Sequence, residues 1–286
     1  MRLIINFVKY HGCGNDFIIV DELDRELIPE EYKGAVSKKI CRRRFSIGAD
    51  DLLDLVPSSR ADAWMRIFEP DGTEADMCGN GIRCAASYLC EKLGKDKVLI
   101  ETRAGLKEVA KVNDEFKVSM GKLLKKYGEQ KKFINYSFSE DDELIDVKMK
   151  FPVLGELRIS IVNTGEPHAV IFVDDVDSED IEKYADAIAK NKKIFPMGIS
   201  VNIVQVIDEK TIKVRTYERG VWNETLACGT GSTASAAVSY LLGKIKSREV
   251  DVKVRGGRLK ILISKDQLYM IGPAEKVFTG RIEVEV

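Results

Sequence analysis

Apolar residues along this chain alternate between two spacings. Runs rich in Ile, Val and Phe at residues 3–7, 17–20, 52–56 and 64–68 read as short strands. After residue 78 the pattern changes to small and apolar residues at helical spacing, which predicts a helix over about 82–92 with Gly94 as its C-cap. Strand spacing returns at 98–102. The same succession then recurs: strands at 159–163, 170–173, 201–206 and 213–217, a helix over about 232–242 followed by Gly243, and a strand at 250–254. This is an α/β (α+β) pattern in two rounds.

The two rounds are copies. Cys78-Gly-Asn-Gly-Ile-Arg-Cys-Ala-Ala is echoed by Cys228-Gly-Thr-Gly-Ser-Thr-Ala-Ser-Ala, each with a glutamate four residues upstream, Glu74 and Glu224. Val98-Leu-Ile-Glu-Thr-Arg-Ala-Gly105 matches Val250-Asp-Val-Lys-Val-Arg-Gly-Gly257, Ile19-Val-Asp21 resembles Phe172-Val-Asp174, and Phe45-Ser-Ile-Gly48 resembles Phe195-Pro-Met-Gly198. Four matches in one order at nearly one offset indicate a duplicated domain. The expected architecture is two pseudo-symmetric lobes, 1–121 and 122–274, facing each other across a cleft. The polar stretch 122–130 reads as the linker, and the strand-like run 280–286 has no obvious counterpart in lobe two.

Charge and cysteine usage narrow the setting. The 286 residues carry a formal charge of −1, so no basic face invites nucleic acid or a membrane surface. The longest apolar runs are too short to span a bilayer, and residues 1–7 do not resemble a signal peptide. A cytoplasmic protein with reduced thiols is expected. The six cysteines include no Cys-x-x-Cys, and the two histidines, His11 and His168, no metal spacing, so no metal is expected. Cys13, Cys41, Cys84 and Cys90 read as small buried hydrophobes.

The duplicated context sets Cys78 and Cys228 apart. Helix starts expose unpaired amides and the positive end of the helix dipole, which attract a carboxylate and stabilise a thiolate. Two such starts would bind a substrate carboxylate and tune the thiols beside it. One thiolate could remove an α-proton while a facing thiol delivers another, inverting a carbon with no cofactor. Two thiols flanking one carbon also lie close enough to be joined by oxidation.

Several blocks together resemble one family. Lys9-Tyr-His-Gly-Cys-Gly-Asn-Asp-Phe17, Ser46-Ile-Gly-Ala-Asp50, Asp71-Gly-Thr-Glu-Ala-Asp-Met-Cys78 with the residues through Cys84, Gly165-Glu-Pro-His168, Tyr217-Glu-Arg-Gly220 and Thr225-Leu-Ala-Cys-Gly-Thr-Gly231 are similar to the diaminopimelate epimerases, in family order. The resemblance implies a pyridoxal-phosphate-independent isomerase that interconverts LL- and meso-diaminopimelate in lysine and cell-wall synthesis. It implies a cytoplasmic homodimer of α/β lobes, each with strands wrapped around a central helix, and a C-terminal strand, 275–286, returning to lobe one. By position, Cys78 and Cys228 are the acid–base pair and His168 and Glu218 adjust their protonation. Gly79, Asn80, Gly229 and Thr230 cradle the reacting carboxylate, Asn15 contacts substrate, and Arg219 pairs with the distal carboxylate.

Four positions depart from the family's usual residues. Glu69 and Glu166 stand where it has asparagine, Ser200 where a further asparagine is expected, and Asp51 where Gly or Gln is common. Glutamates at substrate-binding positions favour a cationic group and repel a carboxylate. The same chemistry on a basic amino acid, lysine or histidine, is therefore an alternative. A non-catalytic amino-acid-binding module is the alternative of another class.

Overall fold

The computed structural model describes all 286 residues, and the chain divides into two units, Met1–Val118 with Gly272–Val286, and Ser119–Ile271. The first unit begins with β1 (Arg2–Gly12), whose side chains alternate as the sequence requires: Leu3, Ile5 and Phe7 are buried, Arg2, Ile4 and Asn6 exposed. β2 (Asn15–Asp21), β3 (Asp51–Val56), β4 (Ala63–Phe68), the short β5 (Glu74–Ala75), β6 (Lys97–Thr102), β7 (Gly105–Val112) and β8 (Glu115–Gly121) follow. β2 pairs with β3, and β4 with β6, in parallel; the other neighbours are antiparallel. The helix Gly79–Leu93 packs against β1, β2, β3, β6 and β7.

The second unit repeats this ladder. Its strands are β9 (Val147–Phe151), β10 (Gly155–Asn163), β11 (Pro167–Phe172), β12 (Ser200–Val206), β13 (Thr211–Glu218), the short β14 (Asn223–Thr225), β15 (Glu249–Val254), β16 (Gly257–Ile263) and β17 (Leu268–Gly272). The parallel pairs are again the equivalent ones, β11 with β12 and β13 with β15. The helix Gly229–Leu241 packs against β10–β13, β15 and β16. Its small side chains, Ala234, Ser235, Ala236 and Ala237 among them, are buried, so strands can approach it on several sides. Each unit has its own apolar cluster, one around Ile5, Ile18, Val36 and Leu52, the other around Ile161, Ile171, Phe195 and Ile203. No helix is long and apolar enough to cross a membrane.

Three local expectations change. Both helices start three residues earlier than the apolar pattern suggests, at Gly79 and Gly229, because a cysteine sulfur caps the first turn. The stretch 122–130 is not a linker: Leu124 bridges to Asn163, and the buried Gln130 amide donates to the Ile161 carbonyl at 2.9 Å. It belongs to the second unit because its polar atoms find backbone partners there. The final strand, β18 (Glu275–Glu285), pairs antiparallel with β1 from Arg2↔Glu285 to His11↔Glu275. β9 pairs with β10 in the same sense. The last strand of the chain therefore occupies in unit one the place that β9 occupies in unit two.

Candidate active site

The two cysteines are built into their helices in the same way. Cys78 and Cys228 are the N-cap residues, both extended, with φ −133° and −116°. Each sulfur accepts the amide hydrogen two residues into the helix, from Gly81 at 3.4 Å and from Gly231 at 3.4 Å. A sulfur in this place faces the positive end of the helix dipole, an environment that favours negative charge on sulfur. Space behind it is tight at Gly81 and closed to any side chain at Gly231. A Cβ on Gly81 would stand 3.3 Å from the Cys78 Cβ and from Leu53, and one on Gly231 would stand 2.3 Å from Asn202 Oδ1.

Around Cys78 the first unit gathers amides. The Cys78 thiol lies 3.7 Å from Asn15 Oδ1, and Asn80 Nδ2 donates to the same oxygen at 3.1 Å. Asn15 Nδ2 donates in turn to Asp50 Oδ2 at 2.7 Å, and Arg43 Nη2 donates to Asp50 Oδ1 at 2.7 Å. Arg43, the middle of three consecutive arginines, thus anchors this chain of contacts. The fully buried Arg83 donates to the Gly79 carbonyl at 3.1 Å and to the Pro273 carbonyl at 3.2 Å, fastening the turn that follows Cys78. In the second copy Thr233 takes that place and donates to the Gly229 carbonyl at 2.8 Å. Two further candidates belong to the same unit. The exposed Glu69 accepts from Thr73 Oγ1 at 3.1 Å within its own turn, and Asp51 opens β3 opposite Phe17.

Cys228 is only 3% exposed. Burial pushes its thiol well above the ordinary cysteine value, and the Glu218 carboxylate adds to the shift, against smaller opposing effects of Thr230 and the Gly231 amide. Thr230 Oγ1 lies 3.4 Å from the sulfur, and the Thr230 carbonyl accepts from Thr164 at 3.0 Å. Glu218 accepts from Thr225 Oγ1 at 2.9 Å. His168, fully buried, is pushed down to about 3 by desolvation and by the Arg219 charge, so its ring is neutral. Arg219 donates its backbone N–H to Ser200 Oγ at 3.0 Å, and its guanidinium grips Glu166, with Nε 2.9 Å from Oε2 and Nη2 on the same oxygen. His168, Ser200, Arg219 and Glu166 therefore form one neighbourhood: His168 and Ser200 face each other in the β11/β12 register.

The twin glutamates upstream of the cysteines are clamps. Arg66 binds Glu74 through Nε at 2.8 Å and Nη2 at 2.9 Å, and Arg103 approaches the same carboxylate at 3.5 Å. Arg215 binds Glu224 identically, at 2.7 and 3.0 Å, with Arg255 at 2.9 Å. The sequence shows the glutamates but not their partners, which come from a strand before each helix, β4 or β13, and from a hairpin turn after it, β6–β7 or β15–β16. Bidentate geometry and low exposure of Glu224 place this pair above ordinary surface ion pairs. Glu224→Ala should lower unfolding free energy by about 2 kcal/mol, because it removes the bidentate partner of the mostly buried Arg215 and leaves its Nη1 only the Val176 and Glu179 carbonyls, at 2.6 and 2.8 Å. A urea midpoint unchanged from the parent protein would contradict this role.

Comparison with known proteins identifies the family. The diaminopimelate epimerase family profile matches residues 7–125 and 160–277. The diaminopimelate epimerase of Methanocella arvoryzae is 48% identical, over 98% of this chain and 98% of its own length. That of Methanocaldococcus jannaschii is 40% identical, over 97% and 98%. Among solved structures, a phenazine biosynthesis protein of the PhzF family from Bacillus anthracis superposes with a TM-score of 0.67 at 22% identity, covering 99% of both chains. A hydroxyproline epimerase from Agrobacterium vitis superposes with 0.66 at 14% identity, covering 99% of this chain and 94% of its own. At these identities the two structures speak for the fold alone. Matched along nearly its whole length, this chain belongs to the diaminopimelate epimerase family.

Proposed function

We propose that this protein epimerises LL-diaminopimelate to meso-diaminopimelate with Cys78 and Cys228 as the two proton-transfer groups and no cofactor. The observation that carries the reading is the doubled cap: two cysteines of one motif, each with its sulfur held against the first amides of a duplicated helix. One sulfur, as thiolate, takes the α-proton; the other, as thiol, returns a proton to the opposite face. The reaction requires the two motifs to meet at one carbon. The amides after each cysteine, at Gly79, Asn80, Gly229 and Thr230, suit the α-carboxylate, whose negative charge grows as the proton leaves.

Glu218 adjusts Cys228 through its charge, His168 acts as a neutral ring, and Arg219 receives the distal carboxylate. Asn15 contacts substrate beside Cys78, and Asp51, Glu69, Glu166 and Ser200 line the substrate's far portion. The family resemblance further supports a cytoplasmic homodimer. A basic amino acid as substrate is the second reading, favoured by the carboxylates of Glu69 and Glu166.

Incubation with LL-diaminopimelate in heavy water should give meso-diaminopimelate carrying deuterium at the inverted carbon. Inversion of L-lysine or L-histidine without any of diaminopimelate would replace the first reading by the second. Tight binding of either class without α-hydrogen exchange would point to a binding module.

A further inference from the structure

Beneath the helix that carries Cys228 a buried polar chain connects His168 to two side chains, Asn202 and Thr216, that carry no sequence signal. Asn202, on β12 and fully buried, donates Nδ2–H to the Ala169 carbonyl at 3.2 Å and lies 3.1 Å from His168 Nδ1. Its Oδ1 accepts the Thr216 hydroxyl at 2.9 Å. The carbonyl of Ala169 can only accept, so the amide nitrogen must face it, and the same NH2 group faces the histidine. His168 Nδ1 must therefore be the acceptor, with its lone pair toward Asn202. A neutral imidazole carries one hydrogen, so it sits on Nε2.

We infer that Asn202 is a positioning residue that holds His168 as the Nε2–H tautomer, making it a hydrogen-bond donor and never a proton acceptor in the reaction. Nε2 is buried and has no hydrogen-bond partner in the protein, so the N–H is reserved for what binds beside it. Leaving a buried donor unmatched costs about 1–3 kcal/mol, which a ligand acceptor would recover. Burial keeps the ring neutral, and with Nδ1 occupied it has no basic lone pair left. It cannot deprotonate Cys228.

The same amide reaches the thiol by a second route. Asn202 Oδ1 abuts Gly231 closely enough that a Cβ there would stand 2.3 Å away, and Gly231 N–H is the donor to the Cys228 sulfur. Asn202 thus sets both the proton on the histidine and the seat of the helix start. In the first copy the same place beside Gly81 is taken by Leu53, with Phe17 where the second copy has His168, so that seat is apolar. The two thiols are therefore tuned by unlike means.

Nitrogen-15 NMR of histidine-labelled protein tests this directly. With only two histidines, a His11→Gln variant assigns the signals. The expected spectrum shows His168 protonated at Nε2 and unchanged as pH is varied around neutrality. An Nδ1–H tautomer or an imidazolium in the wild-type protein would overturn the inference, whatever the substrate proves to be. Asn202→Asp should switch the ring to Nδ1–H, because a carboxylate only accepts. The kinetic consequence rests on the two-thiol reading: kcat on diaminopimelate should fall by about 100-fold, the scale of one positioned proton donor, with KM little changed. Thr216→Val, which frees the amide without altering its charge, should give a smaller loss of the same kind. A switched tautomer with undiminished kcat would leave Asn202 no positioning role. No turnover by the wild-type protein would count against the proposed function, and the tautomer measurement would still stand.

Discussion

Cys228→Ser and Cys78→Ser should each lower inversion of LL-diaminopimelate by roughly 1000-fold or more, within the range a positioned acid or base contributes. A serine hydroxyl is far less acidic than a thiol, so it neither exists as the anion that removes a proton nor readily gives one up, while the remaining cysteine can still remove and return a proton on its own face. Each variant should therefore retain partial exchange from one stereoisomer and lose it from the other. The loss would be chemical rather than structural, because serine is itself a favoured N-cap and can accept the Gly81 or Gly231 amide in place of sulfur. The pair should also behave unequally. Burial and the Glu218 charge keep the proton on Cys228, which suits it to the acid role in the resting protein. Following deuterium entry at Cα from LL- and meso-diaminopimelate separately measures both effects. A Cys228→Ser protein that keeps a tenth of parental turnover would end the two-thiol reading.

Arg219→Met should raise KM for diaminopimelate by about 100-fold, since a charge-assisted bidentate contact is worth roughly 1.5–3 kcal/mol and 1.4 kcal/mol is tenfold. Glu166→Gln should do the opposite and lower KM by about tenfold. Arg219 is held by Glu166 in this structure, so a substrate carboxylate must compete with the protein's own. Neutralising Glu166 removes the competitor and leaves the arginine in place. The same variant discriminates the readings of substrate. If Glu166 instead receives a cationic group, Glu166→Gln raises KM, and the effect appears with L-lysine as well. Steady-state kinetics with both amino acids separate the two outcomes.

The glutamate at 166 shows how far a linear reading reaches. Its identity alone suggested a preference for cations. Its partner changes the meaning, because a carboxylate already shared with Arg219 carries less free charge to offer. Glu74 and Glu224 make the same point: their recurrence was visible, and their arginines, eight and nine residues upstream and about thirty downstream, were not. The buried cluster in which Lys33 meets Glu22 and Asp54 gives no sequence signal at all. The region 122–130 misled for a related reason. Polar residues that would suit a linker also suit a segment whose backbone pairs with Asn163 and Ile161.

The sequence by itself determined that the domain is doubled, that each copy opens a helix at a cysteine, and what class of reaction two such thiols can run. Those features rest on local rules: apolar spacing, glycine at helix ends, and a motif repeated at one offset. Only the tertiary structure decided which charges are neutralised, that β18 fills in one unit the place of β9 in the other, and that His168 Nδ1 meets the Asn202 amide. Each of these depends on a strand brought alongside from a distant part of the chain. Pairing in a folded sheet is set by burial and hydrogen-bond completion across the whole domain, which no short window of sequence contains.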